Sequence, residues 1–367
     1  SGASGNCMRA APRSPPCVAG ASSEDAAFGE AEGFDEVGSG KVMAAPLAFL
    51  AMLVELAVGY PERLVQRIGH PVTWMGDLIK RLDNRLNDPA KDGAERRRAG
   101  LAALFVLLLV TGACASLLET VLLLLPFGLF FVAVAASTLI AQRSLYNHTA
   151  AVADALERDS LEDARAAVSH IVGRDTAQLD EAGVARAAIE SLAESFCDGV
   201  VSPVFWLGLA GLPGGAVYKA INTADSMIGH RSSRYKDFGW GAAKLDDVVN
   251  LPGARLSALL FVGAAVFTNG ASPSAAWSTI RRDAAKHDSP NAGYPEAAMA
   301  GAFGLALGGP RVYSGFKTDG PSHGPWLGTG RNTATARDIR AALRLYAVAD
   351  ALLIAMVAAA AAISVML

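Results

Sequence analysis

The sequence is poor in charge. Asp, Glu, Lys and Arg make up 18% of its 367 residues, against about 25% in ordinary soluble domains. With 52% hydrophobic residues and a mean hydropathy of +0.30, the shortfall points away from a soluble domain and towards a lipid bilayer. The net charge of −3 leaves no basic surplus, so nucleic acid is not an expected partner. Cysteine is scarce as well. Cys7, Cys17, Cys114 and Cys197 show neither a CxxC pair nor a Cys/His spacing, which supports neither a disulfide framework nor a zinc site. No repeat of solenoid period is present.

Long apolar runs are what the chain does have. Residues 1–42, rich in Ala, Gly, Ser and Pro without any helical or strand period, are expected to be a disordered N-terminal tail. The first apolar run after it lacks the small-residue cleavage site of a signal peptide. Residues 43–367 then read as one membrane-embedded catalytic domain. A first span is expected over 44–60, with Glu55 inside it facing protein or water. Over 72–86 Val72, Met75, Leu78, Ile79, Leu82 and Leu86 share one helical face, with Lys80, Arg81 and Arg85 on the other, which predicts an amphipathic helix lying along the interface or packed on the membrane core. His70-Pro71 precedes it, either starting that helix or lending an imidazole to a site. Residues 100–125 and 127–141 form two apolar runs around Pro126, read as a transmembrane hairpin or as one broken span plus another. Arg96, Arg97 and Arg98, with the basic residues from Arg63 to Arg85, assign the preceding loop to the cytoplasmic side.

Residues 143–188 read as a polar, soluble helical insertion. Ser160 and Asp163 form a capping signal, the helix is expected to run through Val172 to a stop at Gly173, and a second helix begins near Asp180. Further spans are expected over 251–268, 297–307 and 343–367. Between the last two, a glycine-rich stretch from Gly308 to Gly330 carries Gly309, Tyr313, Gly315 and Lys317, and is read as a loop that could approach a phosphate. The fold class is therefore all-α: a polytopic helical membrane protein with a soluble helical segment and interfacial helices.

Residues 189–255 carry the chemistry. On a helix Glu190 and Glu194 are four apart and share a face, with Asp198 just beyond, while Asn222 and Asp225 form an i, i+3 pair. Asp246, Asp247 and Asn250 make a third group, and Arg231, Arg234 and Lys236 lie between the second and third. Acidic oxygens alternating with cations suit a magnesium-bound nucleotide or another phosphate: Mg2+ takes carboxylate and phosphate oxygens, and guanidinium forks grip phosphate. Arg174, in the Arg174-Asp175-Thr176 turn before the acidic helix, is a further phosphate candidate, as are Lys244 and Arg255. The alternative for each residue alone is a polar pairing between helices. A cluster of unpaired charges in an apolar scaffold is costly, which argues against that alternative for the set.

Several of these pieces stand together in one order: HPVTWMGDLI at 70–79, IVGRDTAQL at 171–179, IESLAESFCDGVVSPVFW at 189–206, and GGAVYKAINTADSMIGHRSSRYKDFGWGAAKLDDVVNLPGAR at 214–255. SPNAGYPEAAMAGAFGLALGG at 289–309 and a Tyr-x-Gly at 313–315 follow. From about residue 47 to the C-terminus the chain resembles the adenosylcobinamide-phosphate synthase family of cobalamin biosynthesis, the CbiB/CobD membrane proteins. It departs from that pattern at Ser195, where the family usually has Asn, and in its N-terminal tail.

The resemblance implies an amide ligase that joins adenosylcobyric acid, a corrinoid, to (R)-1-amino-2-propanol O-2-phosphate or ethanolamine phosphate. ATP would be co-substrate and Mg2+ the metal. It implies a bacterial inner-membrane location with the site on the cytoplasmic face. A homo-oligomer, or association with other corrinoid-pathway membrane enzymes, is compatible with it. Combining the residue pattern with this reaction gives Glu190, Glu194, Asp225, Asp246 and Asp247 as metal and catalytic candidates, with Asp198 and Asn222 in support. Arg174, Arg231, Arg234, Lys236, Lys244, Asn250 and Arg255 are the substrate- and phosphate-binding candidates. Three rival readings fit the residues less well. An AmpE-like membrane sensor would not need three acidic groups flanking a basic patch. A membrane prenyltransferase would use Asn222-x-x-Asp225 and Asp246-Asp247-x-x-Asn250 as diphosphate clamps, but the HPVTWMG and SPNAGYPEAA pieces fit it poorly. A transporter would be expected to show inverted repeats, and none is visible.

Overall fold

A computed structural model describes residues 35–59, 67, 69–173, 175–230, 232–311 and 322–367. Among them thirteen α-helices are named in chain order. They are α1 (Asp35–Val58), α2 (Pro71–Leu86), α3 (Gly93–Leu123), α4 (Gly128–Ser137), α5 (Gln142–Glu157), α6 (Leu161–Ser169), α7 (Glu181–Phe196), α8 (Ser202–Ile228), α9 (Trp240–Val249), α10 (Leu251–Phe267), α11 (Pro273–Asp283), α12 (Gly293–Phe303) and α13 (Ala336–Met366). A π-helical turn, Cys197–Val201, joins α7 to α8. The expected all-α membrane architecture holds, with one small addition. The glycine-rich stretch contains an antiparallel hairpin of β1 (Leu307–Arg311) and β2 (Ser322–Leu327), interrupted by a bulge between Gly308 and Pro310. At the bulge Gly309 has φ +76° and lies against the Trp326 ring, a position that excludes a side chain.

By length and composition, α3, α13, the stretch Gly128–Glu157 and the stretch Glu181–Ile228 are long and apolar enough to cross a membrane. A fifth span results if α9 and α10, bent by 45° to one another, act as one broken helix. This departs from the sequence reading at three places. The apolar part of α1, Ala44–Val58, is shorter than a span. The polar helical segment expected from 143 starts at Gln142 as α5, which follows α4 after a short break and counts with it in one stretch long enough to span. The short apolar run near 297 is α12, a helix enclosed by protein: every residue from Ala297 to Ala302 is buried. Most of the expected tail falls outside the described residues, and α1 starts at Asp35.

The helix signals read from the sequence explain the element ends. Ser160 caps α6 by accepting from the Asp163 amide, although the helix stops at Ser169 rather than Val172. Asp180 caps α7 through the Gly183 amide. His70 caps α2: its Nδ1 accepts from the Val72 amide, so the imidazole serves the helix start. Burial first, and the Lys219 charge second, push that imidazole below the ordinary histidine range.

Helix α7 lies at the centre. Ile189, Leu192 and Phe196 are fully enclosed, and the Phe196 ring meets Phe261 of α10 at 4.9 Å and Tyr346 of α13 at 5.3 Å. Helix α8 breaks at Ala210–Gly211, where Gly211 takes φ +65°. The break frees an amide inside an apolar layer, and Glu119 of α3 answers it by accepting from the Leu212 N–H at 3.2 Å. Outward-facing Leu101, Phe105, Leu109, Leu117 and Phe130 on α3 and α4 form an apolar flank suited to lipid.

Candidate functional site

The site grows from the π-turn. An α-helix continued from Glu194 would set Asp198 one turn on; the wider π geometry re-aims it towards α8. There the Asn222 carboxamide reaches both Asp198 Oδ2 (3.3 Å) and, on α9, Asp246 Oδ1 (3.4 Å). Asp246 is held from its other side by Asn250 Nδ2 at 3.0 Å. Asn250 is itself buried, and its Oδ1 accepts from the Ser202 hydroxyl (2.7 Å) and the Tyr218 hydroxyl (2.8 Å). One buried amide therefore ties α8, α9 and the start of α10 together and fixes the orientation of Asp246.

Asp225 lies one turn beyond Asn222, with Asp246, Asp247 and Glu194 as its charged neighbours. Lys219 lies one turn before Asn222 and faces Asp198 and Asp246. Lys244 meets Asp247 at 2.9 Å. The carboxylates thus crowd one another while Lys219 and Lys244 approach them. Among the described residues no group of three His, Cys, Asp or Glu side chains could hold a metal ion. The expected shell of Glu190, Glu194, Asp225, Asp246 and Asp247 is not assembled as a closed cage. A hard oxygen site of one or two carboxylates remains, which is what Mg2+ uses when phosphate oxygens supply the rest.

Three cavities open around this wall. One of about 460 Å³ is lined by Glu194, Asp198, Lys219, Asn222, His148 and His170. A second, of about 610 Å³, lies between α2 and α8 and shares Lys219, Asn222 and Ser226 with the first. The third, about 680 Å³, carries Lys236, Lys244, Arg255, Asp247, Trp240 and Tyr294. In it Arg255 stacks on the Tyr294 ring at 4.1 Å and donates to Asn291 Oδ1 at 2.9 Å. Among the described residues, Lys236 has no ion-pair partner.

The structure thus brings together Glu194, Asp198, Asn222, Asp225, Asp246 and Asp247, with Lys236, Lys244 and Arg255 nearby. It does not bring Glu190 to them: that carboxylate, one turn before Glu194, is buried and accepts from the Gly308 N–H at 2.8 Å, anchoring β1. Arg234 turns to Asp83 of α2 at 2.6 Å. Asn250 works inside the core rather than at a cavity. Arg174, Arg231, Tyr313, Gly315 and Lys317 lie outside the described residues. The sequence reading missed Lys219, His148, His170 and Asp83. Lys219 could have been found as the single cation within the apolar run GGAVYKAIN, one turn before Asn222; the two histidines carry no comparable spacing signal.

The CobD/Cbib protein family matches residues 48–346. Cobalamin biosynthesis protein CobD of Sinorhizobium sp is 47% identical over 300 residues, 81% of this chain and 92% of that protein. The protein of the same name from Rhizobium meliloti (strain 1021) is 46% identical over 314 residues, 85% of this chain and 95% of its own. One from Rhodobacter capsulatus is 46% identical over 305 residues, 82% of this chain and 92% of its own. No solved structure matches the chain significantly.

Proposed function

The chain belongs to the CobD/CbiB family, and from that premise we propose that it is the amide ligase that makes adenosylcobinamide phosphate in cobalamin biosynthesis. Its substrates are adenosylcobyric acid, (R)-1-amino-2-propanol O-2-phosphate or ethanolamine phosphate, and ATP with Mg2+. The observation that carries this reading is the acidic wall of Asp198, Asp225, Asp246 and Asp247 standing between cavities that bear Lys219 on one side and Lys236 and Arg255 on the other. So many charges in an apolar bundle are costly to keep unless ligands of opposite charge complete them.

A free carboxylate does not react with an amine, so the propionate of the corrinoid must be activated. Its attack on the γ-phosphate gives an acyl phosphate and releases ADP; the amine then attacks the acyl carbon and displaces inorganic phosphate. Such transfer needs positioning and charge neutralisation rather than covalent help. Lys236 and Arg255 grip the phosphates, and Asp225 and Asp246 supply the hard oxygens for Mg2+, which would screen the phosphate charge. Asn222 and Asn250 hold Asp246 in place. The basic flank of Arg96, Arg97 and Arg98 supports a cytoplasmic-face site in the bacterial inner membrane.

The test is ATP-dependent conversion of adenosylcobyric acid by the purified full chain. Asp246→Ala and Asp225→Ala should each lose most of the turnover, about a hundredfold or more, as expected for a group that stabilises transition-state charge. Wild-type turnover in either variant would remove that residue from the phosphate-handling set, and absence of ATP dependence in the wild type would end the reading.

A further inference from the structure

We propose that the 460 Å³ cavity between α5, the end of α6, α7 and α8 is the pocket for the amine reactant, which it binds as a zwitterion, ammonium at one end and phosphate at the other. This rests on the amide-ligase reading above and assigns one of its substrates to a place.

The cavity's lining is what distinguishes it. Glu194 and Asp198 present carboxylates, while Lys219, His148 and His170 present N–H donors, with Asn222 between them. A simple anion would meet Glu194 and Asp198; a simple cation would meet Lys219. A small molecule with opposite charges at its two ends satisfies both sets, the phosphate taking charge-assisted hydrogen bonds from Lys219 and the imidazoles. The third cavity is different in kind: Lys236, Lys244 and Arg255 with the rings of Trp240 and Tyr294 suit a polyphosphate carrying a flat base. The acidic wall divides the two, because Asn222 touches Asp198 on one side and Asp246 on the other.

The frame around the cavity is rigid where it needs to be. Ser191 of α7 donates to the Ile171 carbonyl at 2.5 Å, which fixes the turn bearing His170. Ala141 N–H donates to the Gly199 carbonyl at 2.9 Å, which ties the start of α5, and so His148 two turns on, to the π-turn that carries Asp198. A volume of 460 Å³ lies within the usual range for small-molecule sites, about 300–1,000 Å³. It leaves space for the acyl end of the second reactant beside the amine.

The proton balance follows from the lining. The ammonium gives one proton to Glu194 and becomes the nucleophile. Its nitrogen forms the C–N bond as the C–O bond to phosphate breaks, with the electron pair leaving on the phosphate. The second amine proton leaves with that phosphate as hydrogen phosphate. Glu194, exposed at the cavity mouth, returns its proton to solvent.

The experiment uses the full chain in detergent or nanodiscs. Lys219→Met and His170→Ala should each raise KM for the amino-alcohol phosphate about 10- to 100-fold, the worth of a hydrogen bond to a charged group, and leave KM for ATP unchanged. Lys219→Arg should restore most of the affinity, and Arg255→Ala should show the opposite split. Calorimetric titration of wild type should show 1-amino-2-propanol, without phosphate, and isopropyl phosphate, without amine, each binding far more weakly than the zwitterion. His170 is at the exposed rim, so its variant should fold normally. An unchanged KM for the amino-alcohol phosphate in both variants, or equal affinity for the phosphate-free amine, overturns the assignment. If wild type makes no amide at all, the ligase reading fails; the same titrations on the same variants then decide the pocket by binding alone.

Discussion

Replacing Asn250 by Ala is the sharpest test of how the site is held. Asn250 is 1% exposed, and four side-chain hydrogen bonds converge on it: from Ser202 at 2.7 Å, from Tyr218 at 2.8 Å, a weak one from the Cys197 thiol at 4.0 Å, and to Asp246 at 3.0 Å. Truncation leaves two buried hydroxyls without that acceptor and one carboxylate oxygen without that donor. Tyr218 also reaches the Asp198 carbonyl at 3.1 Å, which recovers part of its loss. With about 1–3 kcal/mol for each buried group left unpaired, the cost should be about 3–5 kcal/mol, read from equilibrium unfolding in detergent followed by circular dichroism. Asn250→Asp separates orientation from stability. It keeps an acceptor for both hydroxyls but sets a carboxylate oxygen against Asp246, so turnover should fall further than stability does. A loss below about 1 kcal/mol in Asn250→Ala would refute the idea that this amide organises the helices.

Two further outcomes are expected. Arg234→Ala should lower stability by about 1 kcal/mol, because Asp83 keeps Asn87 and Tyr235 as partners; substrate binding should keep its salt dependence, and weakened nucleotide binding at unchanged stability would make Arg234 a ligand contact instead. Asp283 supplies a pH test. Burial pushes its carboxyl up, but hydrogen bonds from Arg282, Lys286 and the Gly328 N–H outweigh that and hold it well below the usual carboxylate range. A depressed folded value stabilises fully above the unfolded one, near about pH 4, and the stabilisation is lost progressively as pH falls from there through the folded value. Asp283→Asn should therefore cost about 1–3 kcal/mol at pH 7 and distinctly less at pH 2, where the unfolded carboxyl is protonated and the folded one still resists protonation, measured by unfolding at both values; an equal cost at the two would contradict the pairing.

What was legible in the sequence followed from local rules. Ser160 and Asp180 cap their helices, the amphipathic stripe from Val72 to Leu86 forms a helix, and the apolar runs form long helices. Membership of the family rested on long motifs in a fixed order, which 47% identity over most of the chain bears out. Illegible features depended on partners far away along the chain. Nothing near residue 211 announces that Glu119 will answer the break in α8. Glu190 and Glu194 look equivalent at four-residue spacing, yet one binds the Gly308 amide and the other opens to a cavity. A lone Lys219 in an apolar helix reads as a snorkelling side chain until the π-turn places Asp198 opposite it. The hairpin was hidden because glycine has low strand propensity, and its pairing is set by backbone geometry at the bulge.

Phosphoryl transfer from ATP to the corrinoid carboxylate, managed by this acidic and cationic constellation, is the step on which the proposed ligase depends. It is tested most directly with adenosylcobyric acid carrying ¹⁸O in the reacting carboxyl group. One labelled oxygen should appear in inorganic phosphate for each amide formed. Loss of that label to water, or its delivery to AMP, would contradict it.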